Sequence, residues 1–353
     1  LFTSGEPLFR QLFQDISSAK HHVHIIFYYV KKDQISFRFM KLLKKKAEEG
    51  LDVRLLVDWA GAFKMNKAMR EDLKISGVKV ALSRVPSFPF LFKSQQRNHR
   101  KITVIDGAVG YLGGFNVGKE YVDQDPMLSP WRDYHLKITG PAVEDLQQLF
   151  FKDWEEANGE KMQYRDVFRK EYLKGDHQVR FFSTDGAYLE EEYIRLVDSA
   201  ESSIILGTPY FIPSSPLLKA LERALERGVS IQIIVPAASD HPLVKEASYP
   251  SFRRLIPLGA KVHQYQNGFF HAKYILIDDA FMDIGTANFD KRSLFLNSEV
   301  NCYLYDKEIV DAFKQEVEKD MRNSTIMKLE DLHAAGLWTR LKENTAALLS
   351  PFL

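Results

Sequence analysis

The chain has 353 residues, 45% of them hydrophobic and 27% charged, with a formal net charge of +1; this suits two globular domains or one large duplicated one. So neutral a chain offers no electrostatic case for a nucleic-acid partner, and its single cysteine, Cys302, excludes an intrachain disulfide. No Cys/His cluster has zinc spacing, and no run is long and apolar enough to cross a bilayer.

In chain order, residues 16–30 (ISSAKHHVHIIFYYV) read as a helix end followed by an apolar strand that finishes in aromatics. Residues 37–50 (FRFMKLLKKKAEEG) carry apolar side chains at three- and four-residue spacing and stop at Gly50, as a helix C-cap does. The cluster Lys41, Lys44, Lys45 and Lys46 reads as its solvated face. Residues 51–59 (LDVRLLVDW) read as a buried parallel strand. In RVPSFPFLFKSQQR (84–97), Phe88, Phe90, Leu91 and Phe92 stand among prolines, with Lys93 and Arg97 behind. That loop either dips into a bilayer, its cations meeting anionic headgroups, or packs over the mouth of a site.

Residues 98–116 (NHRKITVIDGAVGYLGGFN) then read as two strands joined by a tight turn. A charge-rich stretch around 152–178 is the expected seam, with the boundary near 160, giving halves 1–160 and 161–353. Beyond it the order repeats: strand in 197–212 (VDSAESSIILGTPYFI), helix in 216–228 ending at Gly228, strand in 229–237 (VSIQIIVPA), hairpin in 270–288 (FHAKYILIDDAFMDIGTAN). His241, in SDHPLV, lines a headgroup pocket or caps its own loop. Past Asp306 the reading is helical, and Trp338, Leu341, Leu348, Leu349 and Phe352 share a face expected to dock on the protein's own body.

The two hairpins carry one pattern. His99, Lys101, Asp106, Gly113, Gly114 and Asn116 recur as His271, Lys273, Asp278, Gly285, Thr286 and Asn288, with offsets of +2, +7, +14, +15 and +17 in both copies. A turn at Gly107-Ala108 makes opposing residue numbers sum to 215, setting His99 opposite Asn116 and Lys101 opposite Gly114. A turn at Asp279-Ala280 likewise pairs His271 with Asn288 and Lys273 with Thr286. Each hairpin then offers an imidazole, an ammonium, an amide and a small residue on one face. Asp106 and Asp278 have the wrong parity for that face and read as turn or support residues.

These residue types suit phosphoryl chemistry. Histidine attacks phosphorus or shuttles a proton near neutral pH, lysine supplies a point charge to phosphate oxygens, and amides donate to them. A small residue at Gly114 or Thr286 lets backbone approach the ligand. One hairpin is half a site. Two, about a pseudo-twofold axis, put a nucleophile on one side of a phosphodiester and an acid on the other.

The doubled motif resembles the phospholipase D superfamily, whose signature is His-x-Lys-x4-Asp followed by Gly-Ser/Gly/Thr-x-Asn. The blocks RNHRKITVIDGAVGYLGGFNVGKEY, WRDYHLKITGPAV, TPYFIP, SDHPLV, GTANFDKRSLFLNSEVN and LLSPFL are similar to those of bacterial cardiolipin synthases of the short, minor type. The resemblance implies an α/β fold of two pseudo-symmetric halves, each a mixed β-sheet flanked by helices, with the active site at their interface. It implies a phosphatidyltransferase that turns two phosphatidylglycerols into cardiolipin and glycerol through a covalent phosphohistidine. Carried over, His99 is the nucleophile and His271 the acid, then the base. Lys101, Lys273, Asn116 and Asn288 hold phosphate, Asp106 and Asp278 complete the catalytic motif, and Asp133 and Glu299 orient the imidazoles. No metal or cofactor is expected. The implied partners are phosphatidylglycerol, anionic lipids and a bacterial membrane surface, not nucleic acid, with an anchor upstream of Leu1 as relatives carry. A phospholipase D hydrolase is the first alternative. A nucleic-acid phosphodiesterase or a degenerate scaffold fits less well, because the charge is neutral and neither motif has lost a residue.

Overall fold

A computed structural model describes residues 1–86, 95–162, 175–240, 243–333, 342–343 and 345–346. Phe88, Phe90, Leu91, Phe92, Lys93, His241, Trp338, Leu341, Leu348, Leu349 and Phe352 lie outside the described residues, so the loop, headgroup and C-terminal readings that rest on them do too. The chain divides into two units, Leu1–His177 and Gln178–Leu353. The division falls within the expected seam of 152–178, later than the expected boundary near 160. Helix Val143–Asn158 belongs to the first unit, and the strand Val179–Asp185 is already part of the second sheet.

In the first unit six strands lie side by side in the order Lys79–Ser83, Asp52–Asp58, His22–Phe27, Ile102–Ile105, Val109–Gly113, His135–Thr139. The first three run parallel and the rest antiparallel. The central strands carry apolar runs, Ile25–Phe27, Leu55–Val57 and Ile102–Ile105, as strands covered on both faces do, and His22–Phe27 is buried at every position. Helix Gln34–Glu48 begins where Asp33 accepts the N–H of Ser36, and it turns Ile35, Phe39, Met40 and Leu43 inward. Past its end Gly50 takes φ +91°, a left-handed geometry that glycine adopts without strain. Its lysines do not all face water: Lys46 is buried, donating to the Ala19 carbonyl at 3.1 Å and to Glu49 at 2.8 Å. The aliphatic stem packs while the ammonium finds partners at the rim.

The second unit repeats this order strand for strand. Lys261–Tyr265, Ser230–Pro236, Ser203–Gly207, Tyr274–Ile277, Phe281–Gly285 and Ser298–Leu304 follow one another, and Ser324–Ile326 and Val179–Asp185 add an edge on either side. Helix Ser215–Glu226, capped by Ser214, buries Leu217, Leu218, Leu221 and Ala224 against the sheet. The duplication is therefore architectural, and it covers six strands rather than a strand–helix–strand and a hairpin.

Asp283, on the strand Phe281–Gly285 of the second sheet, is buried, accepting Asn301 Nδ2 at 2.8 Å, and burial pushes its carboxyl up to about 8. A carboxyl raised on folding contributes stability that is complete below its unfolded value and is lost as pH rises through the folded one. Thermal melts of wild type and Asp283→Asn between pH 5 and pH 8 check this. The variant is expected to gain on wild type as pH rises; a gap independent of pH would contradict it.

Candidate active site

In each half the hairpin lies beside the first strand of the sheet, and the two ends of the hairpin do different things. In the first half, Ile26 of His22–Phe27 pairs with Ile102 and Val23 with Ile105. The histidine end of the hairpin therefore sits at the carboxyl ends of the parallel strands, where ligands gather in open α/β sheets. Asp106 lies at the other end of the strand, on the order of 20 Å away.

The hairpin registers differ by one from the sequence expectation. Ile102 faces Leu112 and Ile105 faces Val109, a sum of 214, and Tyr274 faces Ile284, a sum of 558. Asp106 and Gly107 both take positive φ (53° and 59°), as do Asp278 and Asp279 (52° and 53°), so three residues rather than two cross between the strands. Aspartate tolerates this region better than most residues. The register carries the line of Lys101 to Gly113, not Gly114. What gathers the site residues is the segment after the first strand: the Tyr28 ring meets His99 edge-on at 5.5 Å between centroids, and the Tyr29 N–H reaches Asn116 Oδ1 at 3.4 Å.

The motif aspartates are committed elsewhere. Asp106 accepts the backbone N–H groups of Lys20 (2.8 Å), His21 (2.8 Å) and His22 (3.0 Å). Asp278 accepts those of Glu201 (2.9 Å), Ser202 (2.8 Å) and Ser203 (2.8 Å), with the Ser202 hydroxyl also at 2.8 Å. Those hydrogen bonds outweigh partial burial and hold both carboxyls below their ordinary range. Grouped with the catalytic residues by the motif, they are placed at the end of the hairpin away from the histidine.

Lys101 is fully buried and donates to the His99 carbonyl at 2.7 Å, with its ammonium 5.9 Å from the Tyr28 ring centroid. Lys273 folds back in the same way on the His271 carbonyl and lies 2.5 Å from His271 Nδ1. An ammonium can only donate, so Nδ1 accepts and the ring proton sits on Nε2. The Tyr210 ring stands edge-on to His271 at 6.3 Å, as Tyr28 does to His99.

Asp133 and Glu299 occupy matching places. The Gly114 N–H donates to the Tyr134 carbonyl and the Thr286 N–H to the Val300 carbonyl, both at 3.0 Å, and each acid is the preceding residue. Glu299 accepts Thr286 Oγ1 at 2.6 Å, Ser293 Oγ at 2.8 Å and Asn297 Nδ2 at 3.2 Å. Asp133 stands so close to Gly114 that a Cβ there would meet its Oδ1 at 2.1 Å. The small residue makes room for a carboxylate in one half and bonds to one in the other.

Several groups around these residues carry no motif. Asn116 Nδ2 donates to Tyr121 Oη at 3.1 Å, Tyr121 lies 2.5 Å from Tyr29 Oη, and Tyr29 donates to Glu120 at 3.0 Å, where Lys31 pairs at 2.5 Å. Burial and Glu120 raise both phenols, so they stay protonated donors. Asp58, raised to about 6 by burial, accepts the Asn98 N–H at 2.8 Å. Asn98 Nδ2 and Arg100 both donate to the buried Asp153, at 2.8 and 2.5 Å, fixing the chain on either side of His99. The aromatic end FYYV was visible in the sequence; the acids Asp58, Glu120 and Asp153 had no spacing signal.

The family description "Cardiolipin synthase, PLD-like domain" matches residues 12–154 and 193–321. The minor cardiolipin synthase of Bacillus subtilis (strain 168) is 41% identical over 100% of this chain and 88% of its own length. The cardiolipin synthase of Oceanobacillus iheyensis is 39% identical over 100% and 74%. Among solved structures, the phosphatidylserine synthase of Haemophilus influenzae Rd KW20 shares the fold, with a TM-score of 0.77 and 17% identity over 100% of this chain and 94% of that one. Each half carries the histidine–lysine hairpin of a phospholipase D-like protein. The chain belongs to the cardiolipin synthase family within that class.

If the motif aspartates tie strands together rather than touch substrate, Asp106→Asn should cost about 2 kcal/mol of stability, since N–H donors lose a charged acceptor. Turnover per folded molecule should hold, whereas His99→Ala should abolish turnover with little change in melting temperature. Denaturant titration beside activity checks this; an Asp106→Asn protein of normal stability and no activity would contradict it.

Proposed function

We propose that the protein is a cardiolipin synthase, acting at a membrane surface on two molecules of phosphatidylglycerol, with the two histidines acting in turn on one phosphodiester. His99 attacks phosphorus, a P–N bond forms, and the bond to the glycerol oxygen breaks. His271 gives its Nε2 proton to that oxygen as its Nδ1 takes a proton from the Lys273 ammonium 2.5 Å away, so the ring stays neutral. In the second step the hydroxyl of another phosphatidylglycerol gives its proton to His271 Nε2 as its oxygen bonds to phosphorus, and Nδ1 returns its proton to Lys273. The P–N bond breaks and His99 recovers its electron pair, so the enzyme ends as it began.

The observation that carries this reading is the pair of intact histidine–lysine hairpins at matching places in two like sheets, joined to similarity over all 353 residues to cardiolipin synthases. Lys101, Lys273 and the remaining N–H of Asn116 and of Asn288 stabilise the charge that develops on the phosphate oxygens. Asp133, just ahead of the strand His135–Thr139, and Glu299, on Ser298–Leu304, orient the imidazoles indirectly, by bracing Gly114 and Thr286 at the end of the second strand of each hairpin. The first histidine is assigned as nucleophile from the resemblance to the family, and Asp58, Asp153 and Arg100 tie down the chain on either side of it. Anionic lipid headgroups are the natural surroundings of such a substrate, and nucleic acid is not among the expected ligands.

Incubation with phosphatidylglycerol alone, followed by lipid separation, should yield cardiolipin and free glycerol; phosphatidic acid as sole product would mark a hydrolase instead. Acid quench during turnover should trap a phosphatidyl label that His99→Ala removes. Label that survives His99→Ala and vanishes in His271→Ala would reverse the roles.

A further inference from the structure

The two motif asparagines are held differently. Asn116 has both ends of its amide engaged, Oδ1 with the Tyr29 N–H at 3.4 Å and Nδ2 with Tyr121 at 3.1 Å. Asn288 is buried, its backbone N–H donates to Ser293 Oγ at 3.1 Å, and its side-chain N–H is spent on Asp290. A carboxylate only accepts, so the amide nitrogen faces Asp290 and Oδ1 is turned away from it. Among the described residues, nothing donates to that oxygen. Buried acceptors are rarely left so in native proteins unless a ligand completes them.

The place of Asn288 says which ligand. The next residue, Phe289, donates its N–H to Thr208 Oγ1 at 3.1 Å and pairs with Phe211. Between Thr208 and Phe211 stands Tyr210, whose ring meets His271 at 6.3 Å. Asn288 therefore lies next to the segment Thr208–Phe211, at the carboxyl end of Ser203–Gly207, and that segment borders the histidine assigned to handle the alcohol.

We propose that Asn288 Oδ1 accepts a hydrogen bond from the non-reacting hydroxyl of the incoming glycerol headgroup, so that the site prefers a vicinal diol over water as acceptor. This rests on the phosphatidyl-transfer reading above. The reacting hydroxyl loses its proton to His271 as the new O–P bond forms and the P–N bond breaks. Its neighbour keeps its proton and shares it with Asn288. Water and simple alcohols have no second hydroxyl to offer, and a 1,3-diol carries it one carbon too far. Asn288 thereby helps decide between transfer and hydrolysis, while Asn116 is a fixed donor.

The test supplies 1,2-propanediol, 1,3-propanediol or 1-propanol to the enzyme in phosphatidylglycerol micelles and measures each phosphatidyl-alcohol against phosphatidic acid. Wild type should favour the 1,2-diol over 1-propanol by roughly tenfold, the usual worth of a hydrogen bond to a buried group. In Asn288→Leu and Asn288→Ala the preference should fall to near parity and the share of phosphatidic acid should rise. These are product ratios, so partial misfolding scales all products alike. Absence of the preference in wild type overturns the proposal even if neither variant folds. So does a preference that survives substitution, whatever total product is lost with the phosphate contact that the same substitution removes. A wild-type enzyme that yields neither cardiolipin nor any phosphatidyl-alcohol would instead overturn the transferase reading itself.

Discussion

A carboxylate at the blunt end of each hairpin sets the geometry of everything at the other end. Asp106 gathers the N–H groups of residues 20–22, and Asp278 those of residues 201–203, just where the first strand of each sheet starts. These N–H groups would otherwise be unsatisfied at a strand end. Satisfying them with a charged acceptor on the hairpin locks hairpin to strand in register. Once that end is pinned, the ladder carries the registration to the histidine end, where Tyr28 and Tyr210 meet the imidazoles. The motif keeps its aspartate for this reason, and the constraint is repeated because the whole six-strand order is repeated.

Much of the architecture was legible in the chain because it rests on periodicity. Apolar runs bounded by Gly50 and Gly228 gave the helices and the parallel strands, and the matched offsets exposed the duplication. The hairpin register was not legible to within one residue. The dipeptide Asp106-Gly107 signals a tight turn, but whether two or three residues cross depends on which of them take positive φ, and the N–H groups of a distant segment decide that. Lys46 was misread for a related reason, since its partner, the Ala19 carbonyl, lies far away in sequence. Of the site, the repeated residues were readable because they come in pairs; Asp58, Glu120 and Asp153 were not, being single acids that matter only through what the fold brings to them.

The halves agree in topology and differ in chemistry, and the differences follow one line. Around His99, Asn98 and Arg100 are tied to Asp153; around His271, the same positions are the buried apolar residues Phe270 and Ala272. Asn116 is tied at both ends of its amide, whereas Asn288 keeps an open acceptor. A rigid, polar-clamped first half suits a group that must attack along one line. A second half with an unfilled acceptor beside its histidine suits the exchange of one alcohol for another.

The central claim is a two-step exchange at phosphorus through a covalent histidine adduct. The stereochemistry at phosphorus tests it most directly, using phosphatidylglycerol made chiral with a sulfur and an oxygen isotope on the phosphate. Two successive in-line displacements predict net retention of configuration in the cardiolipin formed. Net inversion would mean direct attack of one lipid on the other, and would contradict the account.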